Sequence, residues 1–424
     1  MGISALLEYS HVFACIRGEK QGNRNRVTGT YYAVVKTSMK TAVIWDSELV
    51  FHQAHDFYET VLSDMATAAS SIDLEVYIFR DDTLGNRFSA ALKTAAERNV
   101  RLRVIVDGFG SAEWIAHSVP ELLKAGVDVR VFRPMPWLFL TMTACRVPSL
   151  KRMLHLFAAI NRRNHRKSWV VDKRIAYVGS LNICKDHLKM AEGGSNWRDT
   201  GLRVEGSAVA ELISGFDKTW AQSWRFGERR RHFHPLFSSF KPFLQSGLVR
   251  LNDDARSRRW LFRDLLKRIS AARRSIWITN PYFIPLPRLV LRLCTAAQSG
   301  IDVRILVPHR PDVWIIRWVT ATFYAQLLRS RVRIFEYLPA VVHAKIVQID
   351  DWAAVGSSNL NHRSFVQDLE VDLAVSHEDT RQSLSRQFLL DLTKAEEISV
   401  QSFSKRPLLG SLAGQIFLLF RHWM

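Results

Sequence analysis

The chain has 424 residues, 47% of them hydrophobic and 23% charged, which excludes wholesale disorder and allows two domains of ordinary size. Lysine and arginine number 59 against 40 aspartate and glutamate, a formal net charge of +19, so the expected partner is polyanionic: nucleic acid or an anionic membrane surface. No apolar run reaches the roughly 18 to 20 residues needed to span a bilayer, and Cys15, Cys145, Cys184 and Cys294 lack metal-ligand spacing, which points to a reducing compartment.

Residues 1–40 form a basic segment with Arg17, Lys20, Arg24 and Arg26, expected to be irregular. Glu8, His11 and Arg17 interrupt the apolar stretch that a signal peptide would need. Patterning then predicts a strand at Ala42–Trp45, a helix at His55–Ala69, a strand at Ile72–Phe79, a helix at Phe88–Arg98, and a strand at Leu102–Val106. A helix at Pro120–Lys124 and a strand at Val127–Phe132 follow. Strand, helix, strand at this spacing is a βαβ unit, which implies a parallel or mixed sheet covered by helices.

The second half repeats the order. Ile276–Phe283 answers the Tyr77 strand, Arg288–Gln298 answers the Phe88 helix, Val303–Val307 answers Leu102–Val106, and Val332–Phe335 closes the set. Ala95-Ala96 and Ala296-Ala297 match at an offset of 201, as do Arg103 and Arg304. The reading is an internally duplicated α/β chain: residues 41–223 as the first half, 224–240 as a basic linker holding Arg229, Arg230 and Arg231, and 241–400 as the second half.

One pattern occurs once in each half. The first copy is His165-x-Lys167, then Asp172, then Gly179-Ser180-Leu181-Asn182; the second is His343-x-Lys345, Asp350, and Gly356-Ser357-Ser358-Asn359. The residues after each His are β-branched and apolar, so both read as strands on which His and Lys occupy one face. Asp172 and Asp350 lie an odd number of positions from their His and fall where a hairpin turns, which suits backbone bonding better than direct chemistry. The returning strands carry Asn182 and Asn359 back towards the His ends. An imidazole, an ammonium and a carboxamide together can attack phosphorus, move a proton and stabilise non-bridging oxygens without a metal or other cofactor. Each copy alone is half of such a centre.

The duplicated pattern resembles the phospholipase D superfamily, in which two halves meet at one active site. The resemblance implies an internally duplicated phospholipase D fold, two similar α/β/α sandwich halves with mixed sheets. Leu74–Phe79 with Asp81, Asp82 and Gly85, Asp107–Ser111, Trp197–Thr200, Asn280–Phe283 and Gly356–Leu360 narrow the resemblance to bacterial cardiolipin synthases. Asn361-His362 departs from the acidic residue and Pro often found there.

That resemblance implies a phosphatidyltransferase with His165, Lys167, His343, Lys345, Asp172 and Asp350 in its catalytic motifs. Asn182, Asn359, Ser180 and Ser357 are the expected phosphate-binding groups, and Asp199 and Glu370 the expected orienters of the two His rings. The implied substrates are phospholipids, phosphatidylglycerol as donor and phosphatidylethanolamine as a candidate acceptor; hydrolysis of phospholipids or cleavage of nucleic acid are the alternative activities. The expected location is the cytosolic face of the cytoplasmic membrane, bound peripherally. Two apolar segments edged by basic residues are the expected membrane contacts. One is Trp137–Leu140 with Met153–Ile160, flanked by Arg146, Lys151, Arg152, Arg162 and Arg163, and the other is residues 405–424. His232 and His234 read as surface residues.

Overall fold

The computed structural model describes residues 44–134, 161–225, 246–404 and 414–418. The expectations for 1–40, for Trp137–Leu140 and Met153–Ile160, for Arg229–Arg231 with His232 and His234, and for most of 405–424 fall outside these residues.

Two eight-stranded mixed sheets form the frame. The first holds β1 (Ser47–Phe51), β2 (Ser71–Val76), β3 (Arg101–Asp107), β4 (Asp128–Phe132), β5 (Ser168–Val171), β6 (Ile175–Gly179), β7 (Gly201–Glu205) and β8 (Trp224–Arg225). The second holds β9 (Val249–Leu251), β10 (Ser275–Thr279), β11 (Asp302–Pro308), β12 (Arg333–Tyr337), β13 (Ile346–Ile349), β14 (Trp352–Gly356), β15 (Val371–Ala374) and β16 (Ala395–Ile398). Their orders are β1-β7-β6-β5-β2-β3-β4-β8 and β16-β12-β11-β10-β13-β14-β15-β9. Read from opposite edges, these are one topology used twice, so the duplication seen in the sequence is a duplication of the sheet. The βαβ strands β2, β3 and β4 are parallel, as are β10, β11 and β12, while β5 and β13 join antiparallel.

Alternation along the strands builds the layers. Trp169 and Val171 of β5 face a core shared with helices Ala54–Thr67 and Thr83–Glu97, whereas Val170 faces the other way. That second face, with Ala176, Val178, Leu202 and Val204, packs directly on Ile346, Ala353, Val355, Val371 and Leu373 of the other sheet. The two halves therefore share one apolar core, as the period of two in each strand requires. The outer face of the second sheet packs on helices Ala255–Ala271 and Pro287–Gln298.

Some boundaries differ from the sequence reading. Of the strand expected at Ala42–Trp45, Ile44 and Trp45 are described and precede the first strand, which begins at Ser47. Trp45 is apolar for another reason: it is buried, and its indole N–H donates to Ala374 O at 3.1 Å. Trp224 and Arg225, assigned to the linker, form β8 on β4. The short helix Ala112–His117 adds to the sequence reading.

Candidate active site

The hairpins β5–β6 and β13–β14 carry the two motifs. The strands begin at Ser168 and Ile346, so His165, Lys167, His343 and Lys345, expected on the strands themselves, sit just before them, at the sheet ends. Each Lys curls back on its His: Lys167 Nζ donates to His165 O at 2.8 Å and Lys345 Nζ donates to His343 O at 2.7 Å.

Asp172 and Asp350 turn the hairpins at the opposite ends of these strands. Both have φ of +50°, a left-handed conformation that Asp tolerates. Asp172 accepts from the backbone N–H groups of Ala69, Ser70 and Ser71 at 2.9, 2.7 and 2.9 Å. Asp350 accepts from those of Arg273, Arg274 and Ser275 at 2.8, 2.9 and 3.0 Å. These bonds pin each hairpin to the start of β2 or β10. Both Asp residues, expected within the catalytic motifs, thus bond backbone at the hairpin turns, where their odd offset from His puts them.

Two carboxylates cross between the halves. His165 Nδ1 lies 3.0 Å from Glu370 Oε2, and His343 Nδ1 lies 3.1 Å from Asp199 Oδ1. Two short bridges make the exchange possible. Leu369 N–H donates to Arg163 O and His165 N–H to Leu369 O, both at 2.9 Å, while Arg198 N–H donates to Val341 O and His343 N–H to Arg198 O, both at 2.8 Å. Each His strand thus begins beside the segment that carries the other half's acid.

Ser180 and Ser357, expected to bind phosphate, bond these carboxylates. Ser180 Oγ donates to Asp199 Oδ1, and Ser357 Oγ donates to Glu370 Oε2 at 2.5 Å. The preceding glycines permit it: a Cβ on Gly179 would meet Thr200 O at 2.6 Å, and one on Gly356 would meet Val371 O at 2.3 Å. Asn182 Oδ1 accepts from Ile78 N–H at 3.2 Å, whereas Asn359 Oδ1 is buried without a hydrogen-bond partner.

Sequence reasoning missed three side chains. His187 Nε2 accepts from Asn182 N–H at 3.2 Å, and its Nδ1 lies 2.6 Å from Asp199 Oδ2, off the line of an ideal hydrogen bond. In the second half Ser364 takes the same place, its Oγ accepting from Asn359 N–H at 3.1 Å and donating to Glu370 Oε1 at 2.5 Å. Both stand five positions after their Asn, a signal available in the sequence. Tyr77 is the third, its ring 4.9 Å from that of His165 and 5.2 Å from Lys167 Nζ.

His187, Asp199 and His343 offer ligand atoms within 4.8 Å of one another, the one compact group of this kind among the described residues. Two imidazoles sharing one carboxylate account for that spacing.

Burial sets the electrostatics. It pushes Lys167 down to about 7, with repulsion from Lys345 adding, and Lys345 down to about 8. Burial and the neighbouring Lys345 lower His343 to about 4, and burial with Lys167 and Lys345 drives His165 well below the usual imidazole range. Burial raises Glu370 to about 7, opposed by Lys167 and its two serines. Burial alone would raise Asp199, but His343 and His187 hold it well below the usual carboxylate range. These shifts disfavour charge on His165 and His343 and on the two buried lysines alike, so a bound anion would favour the charged form of each.

The family model described as "Cardiolipin synthase, PLD-like domain" matches residues 61–220 and 265–392. The chain belongs to this family. It is 33% identical over 367 residues to the cardiolipin synthase of Geobacillus sp. strain WCH70, covering 85% of this chain and 68% of that one. It is 32% identical over 411 residues to the cardiolipin synthase of Alkalihalophilus pseudofirmus, covering 95% and 78%. Among solved structures, the phosphatidylserine synthase of Haemophilus influenzae Rd KW20 superposes with a TM-score of 0.64 at 12% identity, covering 90% of this chain and 94% of that one. That likeness is one of fold. As a member of the cardiolipin synthase, phospholipase D-like family, the chain is a phosphatidyltransferase-type enzyme with the duplicated α/β fold. No helix among the described residues is long and apolar enough to cross a membrane.

Proposed function

We propose that the protein makes cardiolipin by moving a phosphatidyl group from phosphatidylglycerol to the headgroup hydroxyl of a second phospholipid, through a phosphohistidine. The observation that carries this reading is the crossed pair of His–carboxylate contacts, His165 with Glu370 and His343 with Asp199. Holding Nδ1 fixes each ring and leaves Nε2 for the phosphorus or a proton, His343 Nε2 resting 3.1 Å from Lys345 Nζ until substrate takes that ammonium.

His165 Nε2 attacks phosphorus, forming a P–N bond as the P–O bond to the headgroup glycerol breaks. His343 Nε2–H gives its proton to that oxygen, and glycerol leaves. In the second step His343 takes the proton of the incoming hydroxyl, whose oxygen displaces His165 from phosphorus. Lys167, Lys345, Asn182 and Asn359 stabilise the non-bridging oxygens. The free-site His343, near 4, holds its second proton poorly; the negative charge of the arriving phosphodiester offsets Lys345 and raises the ring towards neutrality, so that it carries the proton it gives to the leaving oxygen. The reaction takes place at an anionic membrane surface, on the cytosolic face in this reading, and needs no metal or other cofactor.

The test is an exchange assay with purified protein and phosphatidylglycerol vesicles, with and without phosphatidylethanolamine, products resolved by mass. Cardiolipin lost in both His165→Ala and His343→Ala is the expected result, and dependence on phosphatidylethanolamine would make that lipid the phosphatidyl donor, with ethanolamine leaving and phosphatidylglycerol supplying the acceptor hydroxyl. Phosphatidic acid alone would make water the acceptor. Cleavage of single-stranded nucleic acid without lipid turnover would overturn the lipid reading.

A further inference from the structure

Beside the second motif the described surface carries a cluster of apolar side chains that the proposed chemistry does not use. Val313, Trp314 and Trp318, on the loop after β11 and the helix Ile315–Ala321, are 44%, 62% and 37% exposed. Residues 414–418 lie against this helix, with Phe417 6.5 Å from Trp314, and Ile416 stands 51% exposed at the rim. The two indoles meet edge to face at 4.9 Å. Beneath them Ile284, Ile316 and Val319 are buried, so the cluster rests on a firm base. Arg310 is exposed and Arg317 half-buried at its edge.

The cluster is tied to the reaction centre. Tyr282 OH donates to Asp312 Oδ2 at 2.5 Å, one residue before Val313. Two residues before Tyr282, Asn280 Oδ1 accepts from Leu360 N–H at 3.2 Å and its Nδ2 donates to Ser358 O at 3.4 Å, so the same loop grips the second Gly-Ser-x-Asn. His309 N–H donates to Tyr337 O at 3.0 Å, and the next residue, Leu338, is 50% exposed at the same end of the sheet.

An active site that works on a diacyl lipid must meet the headgroup while the chains stay in the bilayer. Exposed indoles edged by arginine suit that boundary, since the ring is apolar, its N–H is polar, and arginine is drawn to an anionic leaflet. We propose that Val313, Trp314, Trp318 and Ile416 are the surface on which this protein seats on an anionic bilayer, bringing the second motif to headgroup level. The inference rests on the proposed lipid substrate and adds where the lipid surface lies.

The test uses the full chain with Trp314→Ser/Trp318→Ser, and with Trp314→Phe/Trp318→Phe as the conservative partner. Flotation with vesicles of phosphatidylglycerol in phosphatidylcholine measures seating, and turnover is followed on the same vesicles and on monomeric short-chain phosphatidylglycerol. The expected result is a drop of about tenfold or more in vesicle partitioning and in kcat/KM on vesicles for the serine variant, little change for the phenylalanine variant, and unchanged turnover of the monomeric lipid. Quenching of tryptophan emission by brominated lipid should fall in parallel. Unchanged partitioning in the serine variant overturns the proposal, as does a change confined to self-association. Failure of the wild type to turn over the monomeric lipid strikes the proposed function instead, and leaves flotation to decide the surface.

Discussion

His165 takes its carboxylate partner from the opposite half of the chain: its Nδ1 lies 3.0 Å from Oε2 of Glu370, 205 positions away. The reciprocal contact of His343 with Asp199 spans 144 positions. Each motif thus meets its carboxylate in the other half of the chain.

Glu370→Gln and Asp199→Asn should therefore each damage the His of the other half. An amide can present the wrong hydrogen-bonding group to Nδ1 and favour the wrong tautomer, an effect worth on the order of 10³ to 10⁴ in kcat where it has been isolated. Nitrogen NMR of the imidazoles separates direct from indirect damage. Glu370→Gln should move the Nδ1 signal of His165 and spare that of His343, and Asp199→Asn should do the reverse. The opposite pattern would sink the crossed assignment.

The pH dependence follows from the two buried lysines, near 7 and 8. A lysine whose value is lowered is charged below it and neutral above it. Rising pH through 7 and 8 therefore removes the cations that hold the phosphodiester, and kcat/KM should fall over that window. kcat/KM reports the free enzyme, so these are the values it should show. Lys345→Arg keeps its charge and should move the alkaline limb upward, whatever its cost in maximal rate.

Asp172→Ala should cost stability more than chemistry. The side chain accepts three backbone N–H groups, which are left unpaired or returned to water on its removal; a loss of about 2 kcal/mol is expected in denaturant unfolding. Burial would raise the carboxyl, but these backbone donors hold it down at about 2. A depressed carboxylate contributes its stability above its unfolded value of about 3.9 and loses it as pH falls towards 2. The variant's stability deficit should therefore shrink below pH 4, with kcat of the folded variant within a few-fold of wild type.

His187→Phe tests a positioning role. It removes the acceptor of Asn182 N–H and the imidazole beside Asp199. The expected loss is ten- to a hundredfold in kcat. With that contact gone, the pH profile should shift on the limb governed by the His343–Asp199 pair, and His187→Asn should restore part of the rate. A fall in thermal stability with an unmoved pH profile would reduce His187 to packing.

Much of this was legible in the sequence. Two matching His-x-Lys strings, period-two apolar runs and Asp at the hairpin positions sufficed for the duplicated α/β fold, and for reading Asp172 and Asp350 as turn formers, because strand alternation and left-handed turns are local physics. The five-residue step from Asn182 to His187 and from Asn359 to Ser364 was visible too, but the residue types differ and nothing local assigns them one job. Tertiary structure alone decided the rest. Ser180 and Ser357 turn to carboxylates because Gly179 and Gly356 let adjacent strands close on them, and Trp45 anchors a core rather than a ladder. Above all, which acid serves which His depends on two bridges between distant segments, at Leu369 and at Arg198. Spacing along a chain fixes which face of a strand a residue takes; only packing two sheets through a shared core brings Glu370 to His165 and Asp199 to His343.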